Sequence, residues 1–212
     1  MSKYESLRPT VVCLDGGPCS GKSTVMEYLR DQEFEVPAEF IPEVATRFSD
    51  ELLAQDADYA KLAARDRLAY LSYQERIVGT YIDEITDARS RLAGTGGVIV
   101  TDRGPAGIRS YVTEPEWERL TQDFGTTPED ITTDYADTVI FLASLAITDS
   151  AAYEQQRSTN PIRTETIAEA RSLHYKSRSV WFDHPDVIDI DDADMERKQK
   201  HVAAMIGRIA GN

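Results

Sequence analysis

The chain has 212 residues, 41% of them hydrophobic, with 23 lysines and arginines against 37 aspartates and glutamates, a formal net charge of −14. This is enough apolar material for one substantial core, which excludes wholesale disorder, and it is too short for two full domains. A surface this acidic repels a phosphate backbone over most of its area, which argues against an extended nucleic-acid footprint and leaves at most a short single-stranded end in a local basic cleft.

No apolar run is long enough to span a bilayer, and Met1-Ser2-Lys3-Tyr4-Glu5 lacks the apolar core of a signal peptide, so a cytoplasmic protein without membrane contact is expected. Cys13 and Cys19 are the two cysteines. One falls in an apolar strand pattern and the other in a glycine-rich turn that a disulfide would distort, so both are expected as thiols in a reducing compartment. No spacing suggests zinc.

In chain order, the first element is a short apolar strand, Thr10-Val11-Val12-Cys13-Leu14. It runs into Gly16-Gly17-Pro18-Cys19-Ser20-Gly21-Lys22-Ser23-Thr24, which satisfies G-x-x-x-x-G-K-[ST]. A helix follows, with Val25, Met26 and Leu29 on one face. A strand feeding a glycine-rich turn into a helix N-terminus aligns several backbone N–H groups, and the helix dipole favours negative charge there. Residues Gly16, Gly17, Pro18, Cys19, Ser20, Gly21, Lys22, Ser23 and Thr24 are therefore expected to bind a nucleoside triphosphate. Lys22 would reach the β- and γ-phosphates, and the Ser23 hydroxyl would ligate Mg²⁺.

Glu39-Phe40-Ile41-Pro42 reads as a second strand ended by proline. Glu43 behind it would face an acceptor and take a proton from an attacking hydroxyl, with Arg47 orienting the acceptor if the segment is helical. Glu43 in the first turn of a helix, favoured by the dipole, is the plainer alternative. From about Asp58 to Ala93 the pattern is helical, with a break expected near Gly79 and an end at Gly94 and Gly96-Gly97. Its stripe of Tyr59, Tyr73, Ile77, Tyr81, Ile85 and Leu92 is expected in the core rather than as a ligand platform.

Val98-Ile99-Val100-Thr101, Val139-Ile140-Phe141-Leu142-Ala143 and Val187-Ile188-Asp189-Ile190 are apolar runs typical of buried parallel strands. Directly after the first of these, Asp102 is placed to hold Mg²⁺, directly or through water, and Arg103 to bind an acceptor or the transferring phosphate. An ordinary turn capping the next helix is the alternative for Asp102-Arg103-Gly104-Pro105. Thr127-Pro128 opens a helix, Thr166 with Glu169 forms a capping box for a helix running towards Trp181, and a last helix spans about Asp194 to Ile209. Arg157 and Arg163 lie in a polar segment suited to a mobile lid that brings cations onto transition-state charge. The histidines, His174, His184 and His201, offer no triad.

These motifs (Gly16 to Thr24, Ile41-Pro42-Glu43-Val44-Ala45, Thr101-Asp102-Arg103-Gly104-Pro105 and Ile162-Arg163-Thr164-Glu165) resemble the AAA-like ATPase/kinase domain family of P-loop proteins. The family includes the nicotinamide riboside kinase domain of bacterial NAD regulators and the GTP-binding translocation-defect proteins of insects. The resemblance runs from about Thr10 to Ile190. It implies nucleotide-phosphate binding at Gly16 to Thr24, an acceptor-side role for Glu43, a metal or acceptor role for Asp102 and Arg103, and a lid role for Arg163.

The expected architecture is a single α/β domain over residues 1–212, a P-loop NTPase three-layer sandwich. It has a mainly parallel sheet of about five strands and a short helical lid at about 148–164. The expected activity is Mg²⁺- and ATP-dependent transfer of the γ-phosphoryl group, with GTP as the alternative donor, to a small nucleoside-like acceptor. Catalysis would rest on Lys22, Glu43, Asp102, Arg103 and Arg163, metal binding on Ser23 and Asp102, and Arg157 would join the nucleotide contacts. A regulatory nucleotide-binding module with slow hydrolysis, or a kinase acting on a polynucleotide end or modified base, is the alternative. Oligomeric state is left open by the sequence.

Overall fold

The computed structural model describes residues 7–53, 66–159 and 165–210. Five strands form one parallel sheet: β1 (Thr10–Gly16), β2 (Ala38–Ile41), β3 (Val98–Asp102), β4 (Thr138–Leu142) and β5 (Val187–Ile190). They lie in the order β2-β3-β1-β4-β5. The register sets Leu14 beside Asp102 and Gly16 beside Leu142, so the ends of β3 and β4 meet the start of the glycine-rich turn.

Burial on both faces follows from the alternation along each strand. Val12, Leu14, Val98, Val100, Ile140 and Leu142 point to the face covered by helices α1 (Lys22–Arg30) and, at the C-terminus, α9 (Met195–Ala210). The three apolar side chains of α1, Val25, Met26 and Leu29, are buried there, each contributing about 1.5–3 kcal/mol. Val11 and Ile99 point to the opposite face. There they meet α2 (Val44–Leu53), α3 (Arg67–Arg91), the 3₁₀ turn Ala106–Tyr111, α4 (Glu114–Asp123) and α5 (Pro128–Asp134). Helices α6 (Leu145–Thr148), α7 (Ser150–Thr159) and α8 (Ile167–Val180) complete the described elements. No helix among the described residues is long and apolar enough to cross a membrane, and neither Cys13 nor Cys19 is in a disulfide.

Two expectations change. The long helix does not break at Gly79, because α3 runs continuously from Arg67 to Arg91; the part expected over residues 58–65, Tyr59 included, lies outside the described residues. A Cβ at Gly79 would stand 3.1 Å from the Phe124 ring, so this glycine makes room for the end of α4 rather than a kink. The stripe is core as expected at Ile77, Tyr81, Ile85 and Leu92, but its N-terminal part also lines a cavity described below. Helix α7 occupies the start of the segment expected as a lid, pinned by the buried Tyr153, whose hydroxyl donates to Glu165 O at 3.0 Å. Residues 160–164 lie outside the described residues, Arg163 with them.

Candidate active site

The turn after β1 is shaped by close approaches. Gly21 takes a left-handed φ of 85° as the residue before α1, and a Cβ there would strike Met195 Cε at 2.4 Å. At Gly17 a Cβ would stand 2.8 Å from His174 Cα, so the loop lies directly on α8. The buried Lys22 side chain crosses the loop, its ammonium donating to Gly16 O at 2.8 Å and Ser20 Oγ at 3.3 Å. Ser23 and Thr24, in the first turn of α1, are exposed. Residues Gly17 to Thr24 line a cavity of about 360 Å³, with Glu43, Arg103, Tyr111, Gln156, Glu165 and Met195 as further walls.

The strand ends supply the charged groups. Asp102 ends β3 beneath Lys22, nearly fully buried; its carbonyl accepts from Tyr81 Oη at 2.6 Å, and its Oδ1 has no hydrogen-bond partner. Burial raises its pKa to about 6, against the opposing pull of the Lys22 ammonium. Arg103 follows with a left-handed φ of 79°, its amide held by Leu14 O at 2.8 Å and its carbonyl by the Cys13 thiol at 2.6 Å. Its guanidinium donates to Tyr111 Oη and stands 3.7 Å from Glu43 Oε1 and 4.0 Å from Asp15 Oδ1. Burial opposes that charge, but Tyr111, Glu43 and Asp15 more than offset it and the guanidinium stays cationic. Gly107 is what admits this side chain, since a Cβ there would lie 2.4 Å from Arg103 Cγ.

Glu43 immediately precedes α2 and accepts from Thr46 Oγ1 at 2.7 Å, so it combines the helix-start geometry with a place on the cavity wall. A second, more apolar cavity of about 170 Å³ opens beyond it. Glu43, Arg103 and Tyr111 line both spaces, and Tyr70, Tyr73, Gln74, Ile77 and Ile108 wall the second. A larger space of about 450 Å³ between α3 and α4 shares no lining residue with either and gathers no group suited to phosphoryl chemistry.

The structure thus brings the loop, Lys22, Glu43, Asp102 and Arg103 together. It does not bring Arg157 to the cavity: that side chain pairs with Glu154 at 2.8 Å, and the neighbouring Gln156 lines the space instead. Arg47 pairs with Glu84 of α3 at 2.8 Å rather than facing the cavity. Sequence reasoning passed over Asp15, buried at the end of β1, which accepts from Gly16 N and Trp181 Nε1, both at 2.7 Å, and faces Arg103. A charged residue closing an otherwise apolar strand was its signal. Tyr111 left none.

The orphaned buried Asp102 oxygen beside an ammonium, together with a hydroxyl at the helix start, is a donor set that fits Mg²⁺ held through Ser23 and, directly or through water, Asp102.

The family model AAA_28, described as AAA domain, matches residues 11–205. No curated protein matches the chain. Among solved structures it is similar to the crystal structure of NadR protein in complex with NAD and AMP-PNP. The TM-score is 0.59 and the identity 16%, over 96% of this chain and 50% of that one. The chain therefore spans half of that longer protein and shares its fold. With a phosphate loop at the head of a five-stranded parallel sheet and a family match across nearly its whole length, the chain belongs to the AAA_28 family of P-loop, nucleotide-binding domains.

Proposed function

We propose that the chain is a Mg²⁺-dependent phosphotransferase that moves the γ-phosphoryl group of ATP to a hydroxyl or phosphate on a small nucleoside-like acceptor. The observation that carries this reading is the junction of two cavities. A carboxylate (Glu43) and a cation (Arg103) stand between the phosphate-loop space and a smaller space with aromatic and aliphatic walls. A nucleotide switch needs no second ring-sized space beside its phosphates. A kinase does, because the acceptor must lie in line with the γ-phosphate. The fold-mate NadR holds AMP-PNP, an ATP analogue, which favours ATP as donor.

In this reading Lys22 and the loop amides bind the triphosphate, and Arg103 meets the charge that develops on the phosphoryl group in transfer. Glu43 accepts the proton of the attacking hydroxyl, and Tyr111 with the neighbouring carboxylates holds Arg103 in place. Ser23 and Asp102 would hold Mg²⁺, which would supply positive charge against the phosphates of the bound nucleotide.

The test is a screen for transfer from labelled ATP to nucleosides, nucleotides and oligonucleotides, repeated with Glu43→Gln. A general base contributes about 10²–10⁴-fold, so turnover with the best acceptor should fall by that factor while ATP affinity holds. If wild type phosphorylates nothing in the panel and Glu43→Gln hydrolyses ATP normally, the chain is a nucleotide switch instead.

A further inference from the structure

The outer side of the phosphate loop is held as deliberately as its inner side. Three consecutive carbonyls are each engaged from outside the loop. Pro18 O accepts from the Ser144 hydroxyl, Cys19 O from Leu145 N at 3.1 Å, and Ser20 O from Lys198 Nζ at 2.9 Å. Lys198 also donates to Ala143 O at 3.2 Å, so one ammonium bridges the loop to the end of β4. In a trans peptide the C=O and N–H point in opposite directions. Drawing these carbonyls outward turns the Cys19, Ser20 and Gly21 amides towards the other side of the loop. The Ser20 N–H closes the turn on Gly17 O at 3.3 Å, and the Gly21 amide belongs to the peptide whose carbonyl Lys198 holds.

Lys198 is an odd residue for its position. It is 1% exposed, on the face of α9 that also carries Val202 and Ile206. Burial pushes its pKa down, with Asp192 the main opposing influence. A hydrocarbon side chain there would pack without that desolvation cost. What the ammonium adds is a directional hold on two carbonyls.

We infer that Lys198, with the Ser144 hydroxyl, is a positioning group of the phosphate loop: it fixes the loop peptides so that their amides meet the phosphate chain, and raises affinity without touching the nucleotide. The inference rests on the reading of Gly16 to Thr24 as a phosphate-chain site and is independent of the acceptor.

The experiment titrates wild type, Lys198→Met, Lys198→Arg and Ser144→Ala with Mg·ATP and with inorganic tripolyphosphate by calorimetry, alongside thermal melts. Lys198→Met should bind both probes about tenfold more weakly, the loss expected of a charge-assisted contact. Its melting temperature reports the balance between the ammonium desolvation relieved and the Ser20 and Ala143 carbonyls left without a donor. Lys198→Arg, which keeps a cationic donor, should recover part of the affinity. A folded Lys198→Met that binds tripolyphosphate within about twofold of wild type overturns the inference, as does an equal loss in folded Met and Arg variants. If Lys198→Met does not fold, Ser144→Ala decides: weaker binding of both probes by folded protein supports the clamp, and unchanged binding rejects it. Wild type that binds neither probe overturns the phosphate-site reading itself.

Discussion

Lys22 and Asp102 show how much of this site depends on charge held out of water. The Lys22 ammonium is buried against Gly16 O and Ser20 Oγ, a geometry that keeps it over the loop. Lys22→Ala removes a charge-assisted contact worth about 1.5–3 kcal/mol, so ATP affinity should fall more than tenfold and turnover should vanish. Unchanged calorimetry in that variant would contradict the loop assignment. Asp102 behaves in the opposite way in the metal-free protein. Its pKa of about 6 lies above that of the unfolded chain, so the folded state holds the proton more tightly. Stability should therefore be greatest below the unfolded pKa and decline as pH rises through the interval up to about 6. Asp102→Asn abolishes that decline: it should melt higher than wild type at neutral pH and level with it in acid. The same variant should need more Mg²⁺ for activity. Earlier melting at neutral pH, with the Mg²⁺ requirement unaltered, would reduce Asp102 to a structural turn residue.

Among the elements, the contact of the loop with α8 leaves no slack. The strand–loop–helix pattern was legible because the apolar run at Thr10, the glycines and the stripe on α1 each follow from local chemistry. The capping box at Thr166 and Glu169 was legible for the same reason and is present, with Thr166 N donating to Glu169 Oε2 at 2.8 Å. Gly17 is different. Its need for glycine comes from His174, far along the chain, whose backbone leaves no room for a Cβ. Gly17→Ala should push α8 from the loop and cost about 1–3 kcal/mol of stability, as overpacking does, with a parallel loss of ATP affinity. Equal melting temperatures would show that the loop yields without cost. Helix α3 teaches the converse: Gly79 reads as a break, yet the helix continues because burial of Ile77, Val78, Tyr81 and Ile85 around it outweighs the glycine's propensity cost, about 1 kcal/mol.

For the whole molecule, the excess of carboxylates sets what can approach. At −14, the surface is expected to repel long nucleic acid except where Lys22 and Arg103 face the cavity. An oligonucleotide of about thirty nucleotides should show no measurable binding at physiological salt, and no steep rise as salt is lowered, because few phosphates can be neutralised. Tight, strongly salt-dependent binding in a filter assay would instead favour a polynucleotide acceptor. The sequence by itself determined the parallel α/β sheet, the phosphate loop and the strand-end positions of Glu43, Asp102 and Arg103, since alternation, apolar runs and a contiguous motif are local properties of the chain. Only the tertiary structure decided which charged groups converge. Asp15, Tyr111, Ser144 and Lys198 meet the site from four separate elements or junctions, and Arg47 and Arg157 turn away to nearby carboxylates. The direction a long side chain takes depends on the partner that folding brings within reach, and on the desolvation each alternative would cost.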